Sequence, residues 1–471
     1  MKKILVLMIL PVLLYSVEEK LYEHMSIQTE HTLGNEGRGL SYVAEFGNIV
    51  LDKASVTFIS YTVPSERPRP ITFCFNGGPG SSSVWLNLGA FGPRTLALAP
   101  PGIPVAPPEL KDNPYTLLDM TDLVFIDPVS TGYSEAKEPK CFYGVDEDVK
   151  LLAEFIRTYV TQFGRWDSLK YLAGESYGTT RAVGIASELY EKQRMSVNGL
   201  ILLSTVLDFG TVSFAGRADL AEVLILPSYT AAAWYYKKLA PELQALPLEE
   251  ALVKAEGYAK GRYAQALMEG DGISVERKKE VAEEVSRYSG LSADYVFRSD
   301  LRIPLLRFAK ELLRPEKLMV GRMDVRFTSL PIDECADRID FDPSLDGIIP
   351  GFQAAMQSYM RDELKIPNNE PYVILQSLPS WDFKGFLNVS EQLRDLMIRN
   401  VGMQVFVGSG YYDLATPYFA SDYTMSHLGA PSRVHERIRR SYYEAGHMMY
   451  LKSEAHRKMK EDLKKFYQLA R

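Results

Sequence analysis

Cysteine is scarce in this chain: Cys74, Cys141 and Cys335 are the three in 471 residues, and they stand far apart. Spacing of that kind fits neither a metal cluster nor a disulfide framework, so no zinc site is expected, and no sequence feature calls for a cofactor. We read the three as small buried hydrophobes, with one pair and an odd thiol in an oxidising compartment as the alternative. Basic charge is not in excess either. Lys and Arg number 53 against 60 Asp and Glu, a net charge of -7, and the basic residues are scattered. That excludes the phosphate-tracking surface a nucleic-acid partner needs. Long hydrophobic runs are missing beyond the N-terminus. Lys2 and Lys3 precede the apolar run Ile4 to Leu14, which is too short to span a bilayer but suits a signal peptide ending near residue 16. An exported protein, periplasmic or secreted and without stable membrane association after cleavage, is expected; an uncleaved N-terminal anchor is the alternative. Compositional bias is also lacking: 46% hydrophobic, 24% charged and 11% aromatic residues describe a folded protein and exclude disorder.

What is present reads as an α/β chain. Its length exceeds what one hydrophobic core usually fills, so a core with a large insertion, or two domains, is expected. Leu40 to Phe46 and Ala54 to Val63 flank Gly47-Asn48 and read as a hairpin, ended by the proline-rich piece Pro64 to Pro70. The short apolar runs Ile71 to Phe75, Asp122 to Ile126, Leu169 to Ala173 and Gly199 to Leu203 suit strands buried on both faces of a mostly parallel sheet. Between them, Val145 to Phe163 and Thr179 to Gln193 carry helical periodicity. From about Thr211 to Asn400 the chain turns rich in Ala, Glu, Lys and Leu, and buried-strand runs become rare, which predicts a mainly helical cap. Strand texture resumes at Gln404 to Val407, and Ser453 to Leu469 reads as a closing helix. The expected division is a signal peptide over 1–16, a first core part over 17–210, a cap over 211–400 and a second core part over 401–471.

One pentapeptide carries chemistry. Gly174-Glu175-Ser176-Tyr177-Gly178 is a G-x-S-x-G that follows a strand-like run and precedes a helical one. That is the setting of a nucleophile elbow, where a sharp turn lifts the serine oxygen above the sheet and small neighbours spare the backbone a clash. A serine hydroxyl is a weak nucleophile until a base takes its proton, so a histidine oriented by a carboxylate is required. His24 and His31 precede the core; His427, His435, His447 and His456 remain. His447, behind Gly446 and after the strand-like Arg437 to Tyr443, is the expected base. Asp413, after the run Val405 to Gly410, is the expected acid, with Asp422 as rival inside a helical pattern. The order Ser, Asp, His is that of α/β-hydrolases. Asn76-Gly77-Gly78-Pro79-Gly80 follows the run Ile71 to Phe75, and Gly78 with Tyr177 would supply the backbone N–H groups of an oxyanion hole. The competing reading, a phosphate loop, lacks the terminal Lys and Ser or Thr.

Together these blocks resemble the serine carboxypeptidase family: Asn76 to Ser83, Gly174 to Gly178, Gly410 to Asp413 and Gly446-His447-Met448, in the family's order. Gly92-Pro93, Asp127-Pro128 and Gly132-Tyr133-Ser134 extend the likeness, which looks closest to the bacterial branch. The resemblance implies an α/β-hydrolase core and removal of single C-terminal residues from peptides with a free C-terminus, through an acyl-enzyme on Ser176. It also implies a clamp on the terminal carboxylate by Asn76, Gly77 and Glu175. A glutamate binds a carboxylate only while protonated, so acidic pH should favour peptide binding. Three positions depart from the pattern. Cys74 stands for a tryptophan, Ala90 for a second clamp glutamate and Ser81 for a disulfide cysteine. These leave two rivals: an esterase or acyltransferase with the same triad, and an exported binding protein on an inactive hydrolase fold.

Overall fold

The apolar runs become the middle of one sheet. Its strands are β1 (Ser26–Leu33), β2 (Leu40–Leu51), β3 (Ala54–Thr62), β4 (Ile71–Phe75), β5 (Asp122–Ile126), β6 (Lys170–Glu175), β7 (Gly199–Leu203), β8 (Gln404–Gly410) and β9 (Ile438–Tyr443). They lie in the order β1-β2-β3-β5-β4-β6-β7-β8-β9, and the two-residue strand Glu135–Ala136 pairs with β3. Pairing is antiparallel from β1 through β3 to β5 and parallel across every neighbour from β5 to β9. This computed structural model describes residues 24–34, 39–51, 53–367, 370–385 and 387–470. The signal peptide read over residues 1–16 lies outside them.

The parallel strands are apolar throughout because both faces are covered. In β4, Phe73 and Phe75 point into one cluster while Cys74 points into the other. On the first face lie α1 (Val145–Gln162) and α2 (Tyr177–Glu191). Asp146, Glu147 and Asp148 occupy the first turn of α1, where carboxylates complement the exposed N–H groups. Each fully buried Phe or Leu in such a layer contributes roughly 1.5–3 kcal/mol of transfer free energy.

The hairpin turn falls later than the sequence suggests. β2 runs through Gly47 and Asn48, and its pairing with β3 continues past them to Leu51↔Ala54. Gly47 serves packing instead: a Cβ there would meet the Phe58 ring at 2.8 Å. Asn48 serves side-chain bonding, its Oδ1 accepting from Met25 N at 2.7 Å and its Nδ2 donating to Ser55 Oγ at 2.8 Å.

Between β7 and β8 the chain builds α3 (Asp219–Tyr235), α4 (Leu248–Tyr258), α5 (Val275–Ser289), α6 (Ile349–Asp362) and α7 (Ser390–Arg399), with shorter turns between. Ser274 caps α5 by accepting from Arg277 N, and Gly290 ends it in the left-handed region at φ 74°. Helices α3 to α5 close a third apolar cluster that reaches Tyr411, Tyr412 and Leu414 beyond β8. Helices α6 and α7 instead return to the two faces of the sheet, through Phe352, Met356 and Tyr359 on one side and Leu393, Leu396 and Met397 on the other. The stretch read as helical also contains an extended strap over 371–385 and 387–389. It is fixed to the core by the bridges Ser81↔Leu375, Gly132↔Val373, Gly144↔Asp382 and Asp208↔Asn388. After β8 come α8 (Tyr418–Ser426) and, closing the chain, α9 (Ser453–Leu469).

The cysteine reading holds for one residue and fails for two. Cys74 is buried, but Cys141 and Cys335 are exposed, and all three are free. Cys141 sits in the surface turn Pro139–Phe142, and Cys335 in a turn where its N–H donates to Asp333 Oδ1 at 2.8 Å, so neither faces a core. Among the described residues no helix is long and apolar enough to cross a membrane.

Candidate active site

Ser176 sits at the junction of β6 and α2 with φ 61° and ψ -130°, a backbone conformation that costs on the order of 1–3 kcal/mol for a residue other than glycine. Neighbouring contacts enforce it. A Cβ on Gly174 would meet Gly178 O at 2.1 Å, and one on Gly178 would meet Phe75 O at 2.8 Å. Ser176 N donates to Leu203 O at 3.0 Å, tying the elbow to β7.

Asp413 and His447 reach the same end of the sheet from the loops after β8 and β9. The two loops cross so closely that a Cβ on Gly410 would meet Gly446 O at 2.2 Å. Asp413 is fully buried, and its oxygens are all engaged. Oδ1 accepts from Ala415 N at 2.8 Å and Thr416 N at 3.0 Å, while Oδ2 faces Thr416 Oγ1 at 2.5 Å and His447 Nδ1 at 2.7 Å. Burial would raise the Asp413 pKa, but His447 and these donors outweigh it and hold the carboxyl below its ordinary range. For His447 the balance is mirrored: burial favours the neutral ring, and the Asp413 carboxylate, with Glu175, shifts its pKa upward. His447 N donates to Met323 O at 2.7 Å, and Ser204 Oγ donates to His447 O at 2.6 Å. Its Nε2 is buried without a hydrogen-bond partner among the described residues, so the Ser176 hydroxyl is not yet bonded to it. The rival Asp422 is spent elsewhere, accepting from Tyr442 Oη at 2.8 Å and pairing with Arg440.

The glycine loop packs directly on the elbow: a Cβ on Gly77 would meet Tyr177 N at 2.6 Å. Asn76 is buried and bonded on both sides of its amide, Oδ1 accepting from Leu86 N at 3.1 Å and Nδ2 donating to Glu175 Oε1 at 2.9 Å. Arg181, fully buried on α2, donates to Asn76 O and grips Asp148 of α1 through Nε at 2.7 Å. Glu175 Oε2 is buried without a hydrogen-bond partner among the described residues, and the neighbouring Tyr450 hydroxyl is one of the groups that lower the carboxyl's pKa. Burial pushes the Glu175 carboxyl up to about 7, against the lowering field of His447.

Seven of the expected residues, Asn76, Gly77, Gly78, Glu175, Ser176, Tyr177 and His447, line one cavity of 520 Å³, with Asp413 directly behind His447. Sequence reasoning missed Thr416, which braces both Asp413 and His447, and Arg181, whose helical spacing on α2 was legible but whose partner lies on another helix. It also missed the apolar cover from the strap, Leu378, Trp381 and Phe383, for which no motif exists. The departures are placed as well. Cys74 and Ala90 are fully buried and do not line the cavity. Ser81 accepts from Trp85 Nε1 at 2.8 Å, a hydrogen bond where the family carries a disulfide cysteine.

A hydroxyl on an elbow, an imidazole held by a carboxylate and a glycine loop against both make a set able to run acyl transfer. Residues 52–211 match the serine carboxypeptidase family. That stretch holds the glycine loop and the elbow. The Carboxypeptidase Y homolog of Arthroderma benhamiae is 30% identical over 172 residues, covering 35% of this chain and 32% of that protein. Serine carboxypeptidase-like 26 of Arabidopsis thaliana is 28% identical over 165 residues, covering 33% and 35%. The chain thus spans about a third of the length of the curated relatives it matches, which are plant and fungal. The crystal structure of Kex1(Δ)p, a prohormone-processing carboxypeptidase from Saccharomyces cerevisiae, aligns over 95% of this chain and 93% of that one. Its TM-score is 0.55 at 14% identity, which shows a shared α/β-hydrolase fold.

Proposed function

We propose that this chain is a serine-type carboxypeptidase that removes C-terminal residues from peptides through an acyl-enzyme on Ser176. The observation that carries the reading is the Asn76–Glu175 pair, buried at 2.9 Å in the same cavity as Ser176 and His447. In the proposed reaction His447 Nε2 takes the Ser176 proton as Oγ attacks the last peptide carbonyl. The N–H groups of Gly78 and Tyr177 receive the oxyanion. His447 then protonates the departing amine, and a water activated by the same ring releases the shortened peptide. Asp413, accepting from Nδ1–H, fixes the tautomer that makes Nε2 the base. Protonated Glu175, through Oε2, and Asn76 hold the substrate's terminal carboxylate.

A second reading rests on Cys74 and Ala90, which withdraw two of the family's clamp side chains: an esterase or acyltransferase would use the same acyl-enzyme with another nucleophile. The placement in the bacterial branch, the division into core over 17–210 and 401–471 with a cap over 211–400, and export directed by Met1 to Leu14 belong to this proposal. A fluorophosphonate probe should label Ser176, and an N-blocked dipeptide should release its terminal amino acid in proportion to unlabelled enzyme. A chain that labels but releases nothing from peptides, while cleaving simple esters, would favour the second reading; absence of labelling would reject both.

A further inference from the structure

Arg322 borders two cavities at once. It lines the 520 Å³ cavity that holds Ser176 and His447, and it lines a neighbouring cavity of 440 Å³. Phe214, Leu305 and Leu306 form apolar walls of the second cavity, and two more guanidinium groups, Arg307 and Arg338, face it. Three arginines around one apolar hollow run against a chain whose net charge is -7.

Their charges are only partly answered. Arg322 Nε lies 3.5 Å from Asp342 Oδ2, and Arg307 Nη2 lies 3.9 Å from Asp337 Oδ2, both loose for ion pairs. Arg322 Nη2 otherwise meets Met323 Sδ at 3.4 Å, a weak acceptor. Arg307 Nε is buried without a partner, and Arg338 is exposed and makes no ion pair among the described residues. A guanidinium offers five N–H donors in a rigid fork that fits a carboxylate, so most of this donor capacity is unspent. The backbone of Arg322 is fixed against the catalytic loops: its N–H donates to Asp342 Oδ1 at 3.0 Å, and its carbonyl accepts from Leu414 N at 3.1 Å, next to Asp413.

We infer that this cavity is a specificity subsite for an acidic side chain flanking the scissile bond, with Arg322 as the group that joins it to the reaction centre. The inference rests on the carboxypeptidase reading, in which Asn76 and Glu175 already occupy the terminal carboxylate, so that a second anion is left for the arginines. The apolar walls take the methylene stem of the side chain, and the guanidinium groups take its carboxylate. Lysine at the same position is repelled.

The test is a set of peptides of one sequence with Glu, Gln or Lys at the terminal and, separately, at the penultimate position, trimmed by the full chain. Glu is expected to exceed Gln by about tenfold in kcat/KM at one of the two positions, the modest size reflecting the partial exposure of the arginines. The ratio should fall toward one in Arg338→Gln, a surface change that spares the fold, and in Arg322→Gln, and it should shrink as salt is raised. Ser176-dependent trimming with no Glu preference at either position would overturn the subsite and leave the carboxypeptidase standing. If no peptide is trimmed, titration of the same peptides into Ser176→Ala by calorimetry reads the subsite alone. Salt-sensitive binding of the Glu peptide over the Gln peptide would support it, and equal binding would overturn it.

Discussion

Glu175 and His447 oppose each other in their demands on pH. In the proposed reaction Glu175, pushed up to about 7 by burial, holds the terminal carboxylate only while protonated, so peptide binding is expected to weaken as pH rises through that value. In the same proposal His447, whose pKa is raised, acts as base only while neutral, so turnover is expected to weaken as pH falls. The two groups feel each other's charge and titrate as a pair, giving a bell-shaped kcat/KM. Glu175→Gln keeps a donor at every pH. We expect its KM for a free-acid peptide to be flat from about pH 5 to about pH 8, while the acidic limb survives and moves lower because a negative charge near His447 is gone. A KM that still climbs with pH in the variant would take the carboxylate clamp away from Glu175. At this scale the sequence was most informative. A motif names Ser176, Glu175 and the glycines because their backbone demands are local. It could not name Thr416 or Tyr450, whose contributions exist only once distant loops meet.

Helix α2 connects the elbow to the rest of the fold. Arg181, one turn past Ser176, is buried without exposure, pairs with Asp148 on α1 and donates to Asn76 O in the glycine loop. One side chain thereby fixes the spacing between the elbow and the loop that would receive the oxyanion. Removing one partner of a buried pair leaves the other charge uncompensated, at about 3–5 kcal/mol. Asp148→Ala should therefore unfold at clearly lower denaturant concentration than the native chain, with kcat reduced more than KM as the glycine loop loses its anchor. Unchanged stability would mean Arg181 finds water or another acceptor instead. Elements with strict periodicity, such as α1 and α9, and with two-sided burial, such as β4 and β7, were readable from the sequence. The turn after β2 was not, because Gly47 and Asn48 answer packing and side-chain bonding rather than chain reversal. The strap after residue 370 was not either, since it is held by backbone bridges that leave no side-chain pattern.

Across the whole molecule, stability should depend on acids buried far from the cavity. Glu222 of α3 is buried, accepts from Ile303 N at 2.8 Å and is pushed up to about 7 from 4.5, chiefly by burial. A carboxyl raised in the folded state is protonated there while the unfolded chain has already ionised. Its stabilising contribution is full below the unfolded value of 4.5 and is lost as pH rises through about 7, a change of roughly 3 kcal/mol. Glu222→Gln should flatten the fall of Tm between about pH 5 and about pH 7 relative to the native chain. Parallel Tm curves would show that Glu222 ionises freely in the folded state. The layered sheet and the insertion between β7 and β8 followed from texture along the chain. The return of α6 and α7 to the two sheet faces did not, because an amphipathic helix reads alike whichever core it covers.

What the cavity does to a free C-terminus decides between a carboxypeptidase and its rivals. One peptide, offered as free acid and as C-terminal amide and followed by mass spectrometry at about pH 5 and about pH 7.5, with Ser176→Ala as blank, tests it most directly. Stepwise loss of C-terminal residues from the free acid alone is the predicted result. Equal cleavage of both forms, or of neither, would contradict it.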